Sequence, residues 1–129
     1  MRILLDTQVF LWLKAEPERF SESTLEQLSD EANDVLLSAA SAWEIGIKCA
    51  LGKLTLPSSP SLYVPRRMAQ SRIVALPITH QHALRAGELP PHHRDPFDRL
   101  LVAQAQVERL ALLTADAQLR AYDVRTLSI

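Results

Sequence analysis

The sequence predicts an α/β fold in which a mainly parallel central sheet is flanked by helices. Short apolar runs that suit buried strands alternate along the chain with amphipathic segments that suit helices. Strand-to-helix order with short connections is typical of parallel sheets. A chain of 129 residues can bury a core of its own, so we expect residues 1–129 to form a single domain.

The first half of the chain holds two predicted strand-to-helix units. Each strand is an apolar run, and each later helix starts at a serine followed three residues on by glutamate, the pattern of a capping box. In order, we expect a strand at 3–5, a helix from 9, a helix opened by the capping box 23–26, a strand at 35–38, and a helix opened by the capping box 41–44 that stops at Gly52.

The second half begins with a cluster of proline and serine at 54–65, which we interpret as a connection between elements. Asp95-Pro96 has the chemistry of a helix start, an N-cap followed by a first-turn proline. The remaining predicted elements are a short helix ending within 66–72, a strand at 73–76, a helix capped by Thr79 and ending near Gly87, a helix at 97–109, a strand at 111–114, a helical turn at 117–122 and a strand at 124–127.

Charge and cysteine content limit the function classes. With 14 Lys+Arg against 15 Asp+Glu, the net charge is near −1, so contact with nucleic acid would need a local basic patch. The single cysteine, Cys49, excludes an internal disulfide and suits a reducing cytoplasm, and we expect it in the core. No apolar run is long enough for a membrane span, so the expected location is cytoplasmic.

Four acidic residues follow predicted strands or begin the helices after them. Open α/β sheets bind ligands at the carboxyl ends of their strands, so we expect these carboxylates to converge. They are Asp6 after the first strand, Glu44 in the helix after the second, Asp98 in the first turn of helix 97–109, and Asp116 after the strand that ends at Thr114.

Taken singly, three of these acids have simpler explanations. Asp6 and Asp116 could cap helices, because short acidic side chains accept hydrogen bonds from free N–H groups. Glu44 could complete a capping box with Ser41 or pair with Lys48 one turn later. The sequence leaves these alternatives open, so the functional interpretation depends on the four acids lying together.

Asp98 is harder to explain structurally. Helical spacing places it on the apolar stripe of residues 101, 102 and 105, whereas Arg99 belongs to the polar surface. Two carboxylates about 4 Å apart repel by about 4 kcal/mol at an effective dielectric of 20, and a divalent cation would remove that cost. Oxygen ligands without clustered Cys or His favour Mg²⁺ or Mn²⁺ over zinc, and such an ion can activate water for attack on phosphorus.

Two other interpretations concern histidine and tryptophan. A zinc site built from His80, His82, His92 and His93 is weakly supported, since no cysteine accompanies them. Trp12 and Trp43 could stack on bases, but aromatic residues beside Leu and Ile on a helix are more often core, and we expect them there.

Four segments, taken in order, resemble the successive motifs of PIN-domain toxins of the VapC family. They are LLDT at 4–7, SAASAWEI at 38–45, DPFDRLLVAQA at 95–105 and LTAD at 113–116. The resemblance implies a PIN-like sandwich spanning residues 1–129, an endoribonuclease that cuts RNA with Mg²⁺ or Mn²⁺, a homodimer, and inhibition by a VapB-like antitoxin as the cognate partner.

The same resemblance assigns residues to the site. Asp6, Glu44, Asp98 and Asp116 match the acidic positions that bind metal and catalyse cleavage, and Thr7 and Thr114 match polar residues lining the pocket. Asp95 fits the motif but is also explained as an N-cap. His93 and Arg99 are possible site residues among the basic candidates for phosphate contact, which are Lys48, Lys53, Arg66, Arg67, Arg72, His92, His93, Arg94 and Arg99.

Two alternatives to a nuclease stay open at this point. One is a non-enzymatic Mg²⁺-binding domain of the receiver type, which also gathers carboxylates at strand ends. It fits less well, because a receiver needs a lysine after its last strand and none follows Val124. The other is a PIN fold that binds an antitoxin without catalysing cleavage.

Overall fold

A computed structural model describes all 129 residues and contains one five-stranded, wholly parallel sheet with the order β3-β2-β1-β4-β5. The strands are β1 (Arg2–Leu5), β2 (Asp34–Ser38), β3 (Ile73–Leu76), β4 (Ala111–Leu113) and β5 (Thr126–Leu127). The predicted α/β class with a parallel sheet is confirmed. A receiver-type sheet has the order 2-1-3-4-5 instead, so the topology does not match that alternative.

Six α-helices flank the sheet. They are α1 (Thr7–Ala15), α2 (Glu22–Ser29), α3 (Ala39–Ala50), α4 (Pro60–Gln70), α5 (His80–Glu88) and α6 (Pro96–Glu108), with 3₁₀ turns at Pro17–Arg19 and Ala117–Ala121. None of these helices is long and apolar enough to cross a lipid bilayer.

Both faces of the sheet are buried, which explains why its central strands are apolar without alternation. Successive side chains of a strand point to opposite faces. In β1, Ile3 and Leu5 therefore join one core cluster with α1, α2 and α4, while Leu4 joins a second cluster with α5 and α6. Helix α3 contributes to both clusters, through Ile45 and Ala40 respectively.

Two helix starts differ from the predicted capping boxes. Helix α2 begins at Glu22, because the Ser21 side chain accepts the N–H of Thr24. Helix α3 begins at Ala39, where the Ser38 hydroxyl accepts the N–H of Ala40 at 3.0 Å. Ser41 therefore lies inside α3 rather than at its cap. The predicted end of this helix at Gly52 is confirmed, and Gly52 adopts a φ of +73° that suits glycine at a helix terminus.

The interpretation of the proline and serine cluster at 54–65 as a connection between elements was only partly correct. Pro60 is the first residue of α4, a position where proline's missing N–H costs nothing. The helix continues through Pro65 to Gln70. The predicted cap of α5 by Thr79 and the predicted start of α6 at Asp95-Pro96 are both confirmed.

The direction in which the chain crosses the sheet reverses between β1 and β4. From β1 the chain moves outward through β2 to β3, then returns to place β4 on the other side of β1. Such a reversal leaves a crevice at the carboxyl ends of the two central strands, where open α/β sheets bind their ligands.

Candidate active site

A cleft of about 290 Å³ lies at this reversal point. Asp6, Glu44, Asp98 and Asp116 all line it, so the predicted convergence of the four acids is observed. The other lining residues are Thr7, Gln8, Val9, Trp12, Lys48, Asp95 and Ala115.

Asp6 enters the cleft directly from the end of β1. Its backbone N–H still pairs with the carbonyl of Leu113 on β4 at 3.0 Å, which holds it in line with the sheet. Although Asp6 is the N-cap residue of α1, its side chain does not cap the helix. Instead its Oδ2 accepts a hydrogen bond of 2.6 Å from the buried Thr114 hydroxyl. Asp6 is therefore not explained as a helix cap.

Burial raises the pKa of Asp6, and the charges of Glu44 and Asp116 raise it further. The hydrogen bond from Thr114 opposes this shift, because it stabilises the ionised form. The surroundings of Asp6 thus disfavour the ionised form of its carboxyl group.

Glu44 is only 5% exposed although it lies on a helix. Its Oε2 accepts a hydrogen bond of 2.6 Å from the Lys48 ammonium one turn later, as the simpler sequence interpretation predicts. Its Oε1 is buried and has no hydrogen-bond partner. An unpaired buried carboxylate oxygen costs free energy. The pairing with Lys48 therefore explains only one of the two carboxylate oxygens of Glu44.

Asp98 begins the buried stripe of α6, as its spacing predicts. Its pKa is raised to about 7, first by burial and then by the charges of Asp6 and Asp95. Asp95 itself is confirmed as the N-cap, because its Oδ1 accepts the N–H groups of Phe97 and Asp98. Asp95 therefore adds negative charge beside the cleft while its bonded oxygen is committed to the helix.

Asp116 combines a structural contact with a site contact. Its Oδ1 caps the last 3₁₀ turn by accepting the N–H of Gln118 at 2.9 Å. Its Oδ2 lies 3.0 Å from Nε2 of His93, and the same nitrogen lies 3.2 Å from Oδ2 of Asp98. The cap explanation for Asp116 is thus correct without excluding a role in the site.

His93 links two of the four acids, a role the sequence indicated only as phosphate contact. Its Nδ1 accepts the backbone N–H of Asp95 at 3.0 Å, so the ring proton resides on Nε2. The Nε2–H then donates to the carboxylate of Asp116, and the carboxylate of Asp98 lies within ion-pair distance of the same nitrogen. His93 thus contacts both of these acids.

The two threonines play different parts. Thr7 lines the cleft and donates to the Ser41 hydroxyl at 2.8 Å. Thr114 is buried behind Asp6 and does not line the cleft; its hydroxyl donates to Asp6 and accepts the N–H of Asp116. Thr114 therefore positions both Asp6 and Asp116 through hydrogen bonds to its hydroxyl group.

Arg99 is not the exposed phosphate contact that its sequence position indicated. Its guanidinium donates to the carbonyls of Ala86, Leu89 and Pro90 at 2.8 to 3.0 Å. It also approaches the Tyr122 hydroxyl, which accepts the N–H of His93. The residue anchors the α5–α6 loop from which His93 reaches the acids.

The other histidines do not gather. His82 is buried and pairs with Glu108 at 2.8 Å, His92 lies edge-on to Tyr122, and His80 is exposed. Only His93 joins acids in a possible metal-ligand group, with Asp98 and Asp116. This geometry gives no four-histidine zinc site.

Two apolar residues lie further out than predicted. Trp43 is 64% exposed, with its ring edge-to-face against Phe97, so its assignment to the core was wrong. Cys49 is half-buried against the core rather than within it. Of the basic candidates only Lys48 lines the cleft, and Arg72 pairs with Glu31 elsewhere.

Gln8 and Trp12 line the cleft but were not predicted as site residues. Both lie on α1, four residues apart, so they share one face of the helix that follows Asp6. That spacing was present in the sequence, but apolar neighbours made Trp12 look like core.

The donor set fits a hard divalent cation. Five carboxylates, the four predicted acids and Asp95, line one cleft without a thiol, and Glu44 has an unpartnered oxygen. Burial, and then repulsion from neighbouring carboxylates, raises the pKa of Asp98. Oxygen-rich sites of this kind suit Mg²⁺ or Mn²⁺.

Comparison with known proteins assigns the chain to a family. A model of the PIN domain family matches residues 3–125, nearly the whole chain. The chain belongs to the PIN domain family. Among curated PIN-domain relatives, Ribonuclease VapC22 of Mycobacterium tuberculosis is 31% identical over 121 residues, covering 93% of this chain and 91% of VapC22. Ribonuclease VapC16 of the same organism is 47% identical over 55 residues, covering 43% of this chain but only 39% of VapC16.

Solved structures agree on the PIN fold. A chain of the VapBC2 complex from Rickettsia felis, bound to a DNA fragment from its promoter, has a TM-score of 0.74 at 15% identity, covering 99% of this chain and 98% of that one. A chain of VapBC-1 from nontypeable Haemophilus influenzae has a TM-score of 0.69 at 18% identity, with the same coverage. At such identities the likeness concerns the fold alone.

Proposed function

We propose that this PIN-domain protein is a metal-dependent endoribonuclease and the toxin of a type II toxin–antitoxin pair. The observation that carries the proposal is the convergence of Asp6, Glu44, Asp98 and Asp116 in one cleft. One buried oxygen of Glu44 has no partner, and burial together with the charges of Asp6 and Asp95 raises the pKa of Asp98 to about 7. A divalent cation would compensate for burying these negative charges close together.

The same four residues would hold the cation, Mg²⁺ or Mn²⁺. When bound, such an ion acidifies water for attack on phosphorus and neutralises charge on the phosphate. The chain's own residues prepare the site: Thr114 orients Asp6, the His93 ring binds Asp116 and lies beside Asp98, and Arg99 anchors the loop that carries His93. Lys48 supplies the one ammonium in the cleft, where it pairs with Glu44 and adds positive charge near a bound phosphate.

The relatives support RNA as substrate and a VapB-like chain as partner. VapC16 and VapC22 are both named ribonucleases, and the similar structures come from VapBC complexes. We extend these properties to this chain, together with a homodimeric state and action in the cytoplasm. A PIN domain that only binds an antitoxin would not need the intact set of carboxylates.

Cleavage of RNA by the purified protein tests the activity. We expect cutting with added Mg²⁺ or Mn²⁺ and none in EDTA. Asp6→Asn and Asp98→Asn, which each remove one charge with little change of shape, should lower the rate by about 100-fold or more, the scale of losing several kcal/mol of charge stabilisation. Asp123→Asn, at an exposed position outside the cleft, is the matched control. Undiminished cleavage in EDTA or by the Asp98→Asn variant would refute the metal mechanism.

Growth of expressing cells tests the toxin assignment. Production of the wild-type chain should arrest growth, and coexpression of the cognate antitoxin should restore it. The Asp98→Asn variant should permit growth at equal protein levels. Arrest by this variant would instead favour a toxic effect that needs no cleavage.

A further inference from the structure

Trp12 occupies an unusual position for a tryptophan next to an acidic site. It packs partly against the core on α1, yet it also lines the cleft that holds the four carboxylates. It follows Asp6 by six residues, which at 1.5 Å per residue places it about 9 Å further along the helix axis. That distance is comparable to the reach from a phosphate to a neighbouring base.

One face of the Trp12 indole is already covered by a cation. The Arg19 guanidinium carbon lies 4.2 Å from the ring centroid, a cation–π contact. Arg19 also pairs with Glu16 at 3.2 Å, which steadies the guanidinium over the ring. Trp12 lines the cleft, whereas Arg19 does not.

The surroundings of Trp12 suit a nucleotide better than an apolar peptide. Lys48 brings an ammonium into the same cleft, where its positive charge favours a phosphate nearby. Gln8 lies one turn before Trp12, is exposed, and carries an amide able to hydrogen-bond a base edge. Proteins commonly bind an unstacked base with an aromatic ring that has cationic and hydrogen-bonding groups beside it.

Trp43 provides an internal comparison. It is the more exposed tryptophan, but it does not line the cleft, and its ring lies edge-to-face on Phe97 with centroids 5.4 Å apart. Exposure alone therefore does not select the stacking residue; position in the cleft does.

We propose that Trp12 is a stacking platform for a base of single-stranded RNA next to the cleaved phosphate, with Arg19 fixing the ring from its other face. This inference rests on the proposed ribonuclease function and deepens it. It assigns the nucleotide-binding side of the cleft to α1.

The two tryptophans allow a direct spectroscopic test. In a Trp43→Phe variant Trp12 is the only tryptophan, and in a Trp12→Phe variant Trp43 is the only one. Each is mixed in a stopped-flow instrument, with Mg²⁺, with a single-stranded oligoribonucleotide of random sequence, and fluorescence is read before cleavage. A ribose-phosphate chain of the same length without bases is the control ligand.

We expect the oligoribonucleotide to quench fluorescence in the Trp43→Phe variant and to change it little in the Trp12→Phe variant. The chain without bases should not quench Trp12. In steady-state cleavage, Trp12→Leu should raise KM about 5- to 100-fold, the loss that removing one base–aromatic stack typically causes, while Trp12→Phe retains most affinity and Trp43→Leu changes KM little. Circular dichroism verifies that each variant is folded.

Besides the absence of Trp12 quenching, three results would overturn the proposal. They are quenching that survives removal of the bases, quenching confined to the Trp12→Phe variant, and an unchanged KM in Trp12→Leu. Weaker binding of the antitoxin by Trp12→Leu in that last case would assign this surface to a protein. If the wild-type chain cleaves RNA normally but Trp12 is not quenched, this inference fails and the ribonuclease stands. If the wild-type chain neither binds nor cleaves RNA, both fail.

Discussion

Replacing Asp98 with asparagine is expected to stabilise the metal-free protein at neutral pH while weakening its affinity for the cation. The pKa of Asp98 is raised from 3.8 to about 7, mainly by burial and then by neighbouring carboxylates. A carboxyl whose pKa is higher in the folded chain than in the unfolded chain holds its proton more tightly when folded. Folding stability from this group is therefore full below about pH 4 and is lost as pH rises to about 7.

The size of this effect follows from the two pKa values. Each pH unit between them costs the folded state about 1.4 kcal/mol, so the full penalty is of the order of 4 kcal/mol above pH 7. Asparagine carries no charge and keeps nearly the same shape. The Asp98→Asn variant should therefore escape most of the penalty, with no gain at pH 4.

Urea denaturation measured in EDTA near pH 4 and near pH 8 checks this expectation. The wild type and the variant should have similar free energies of unfolding at the lower pH, and the variant should be more stable by a few kcal/mol at the higher pH. Mg²⁺ or Mn²⁺ at about a hundred times its dissociation constant should stabilise the wild type by about 2.7 kcal/mol and the variant much less. Asp123→Asn should behave like the wild type at both pH values and with the cation.

Equal stability of the wild type and the Asp98→Asn variant at pH 8 would refute the reasoning. It would mean that neither burial nor the neighbouring carboxylates disfavour the ionised form of Asp98 in the folded chain. A gain of the same size at both pH values would also refute it, because the penalty of an ionised carboxyl must vanish when the carboxyl is protonated.

Two further substitutions test how the site is held together. Thr114→Val removes the hydroxyl that donates to Asp6 at 2.6 Å. The pKa of Asp6 should therefore rise further, and Mn²⁺ affinity at neutral pH should fall about 10-fold. Calorimetric titration measures this affinity, and an unchanged value would show that metal binding by Asp6 does not depend on Thr114. Arg99→Met leaves the carbonyls of Ala86, Leu89 and Pro90 without their guanidinium donor. The free energy of unfolding should therefore fall by about 2–4 kcal/mol, and amide hydrogen exchange at residues 89–95 should accelerate. Unchanged exchange there would indicate that other contacts hold the loop.

Elements that depend on neighbouring residues in the chain were predictable. The start of α6 followed from Asp95-Pro96, because an N-cap and a first-turn proline act within one helical turn. The apolar strands followed from their lack of alternation, since strands buried on both faces need no polar side. The stripe position of Asp98 followed from helical spacing alone.

Features that depend on distant residues were not predictable in the same way. Ser38 and Ser41 are both reasonable caps for α3, and Ser41 lies inside the helix as the buried partner of Thr7, 34 residues earlier in the chain. Arg99 sits on the polar side of α6, but only the fold brings the carbonyls of the preceding loop around its guanidinium. Trp43 has core-like neighbours, yet no element covers it.

The sequence by itself determined the α/β class, the strands and the last long helix, because helical and strand periodicity and capping are local. It also placed the four acids after predicted strands or in the helices that follow them. Only the tertiary structure decided that these acids share one cleft, that His93 bridges Asp98 and Asp116, and that Thr114 holds Asp6 from behind. Those contacts join β1, β4, α6 and the loop before α6, segments up to 108 residues apart. Their distances and their burial, which set the charge balance of the site, exist only once the parallel sheet has assembled.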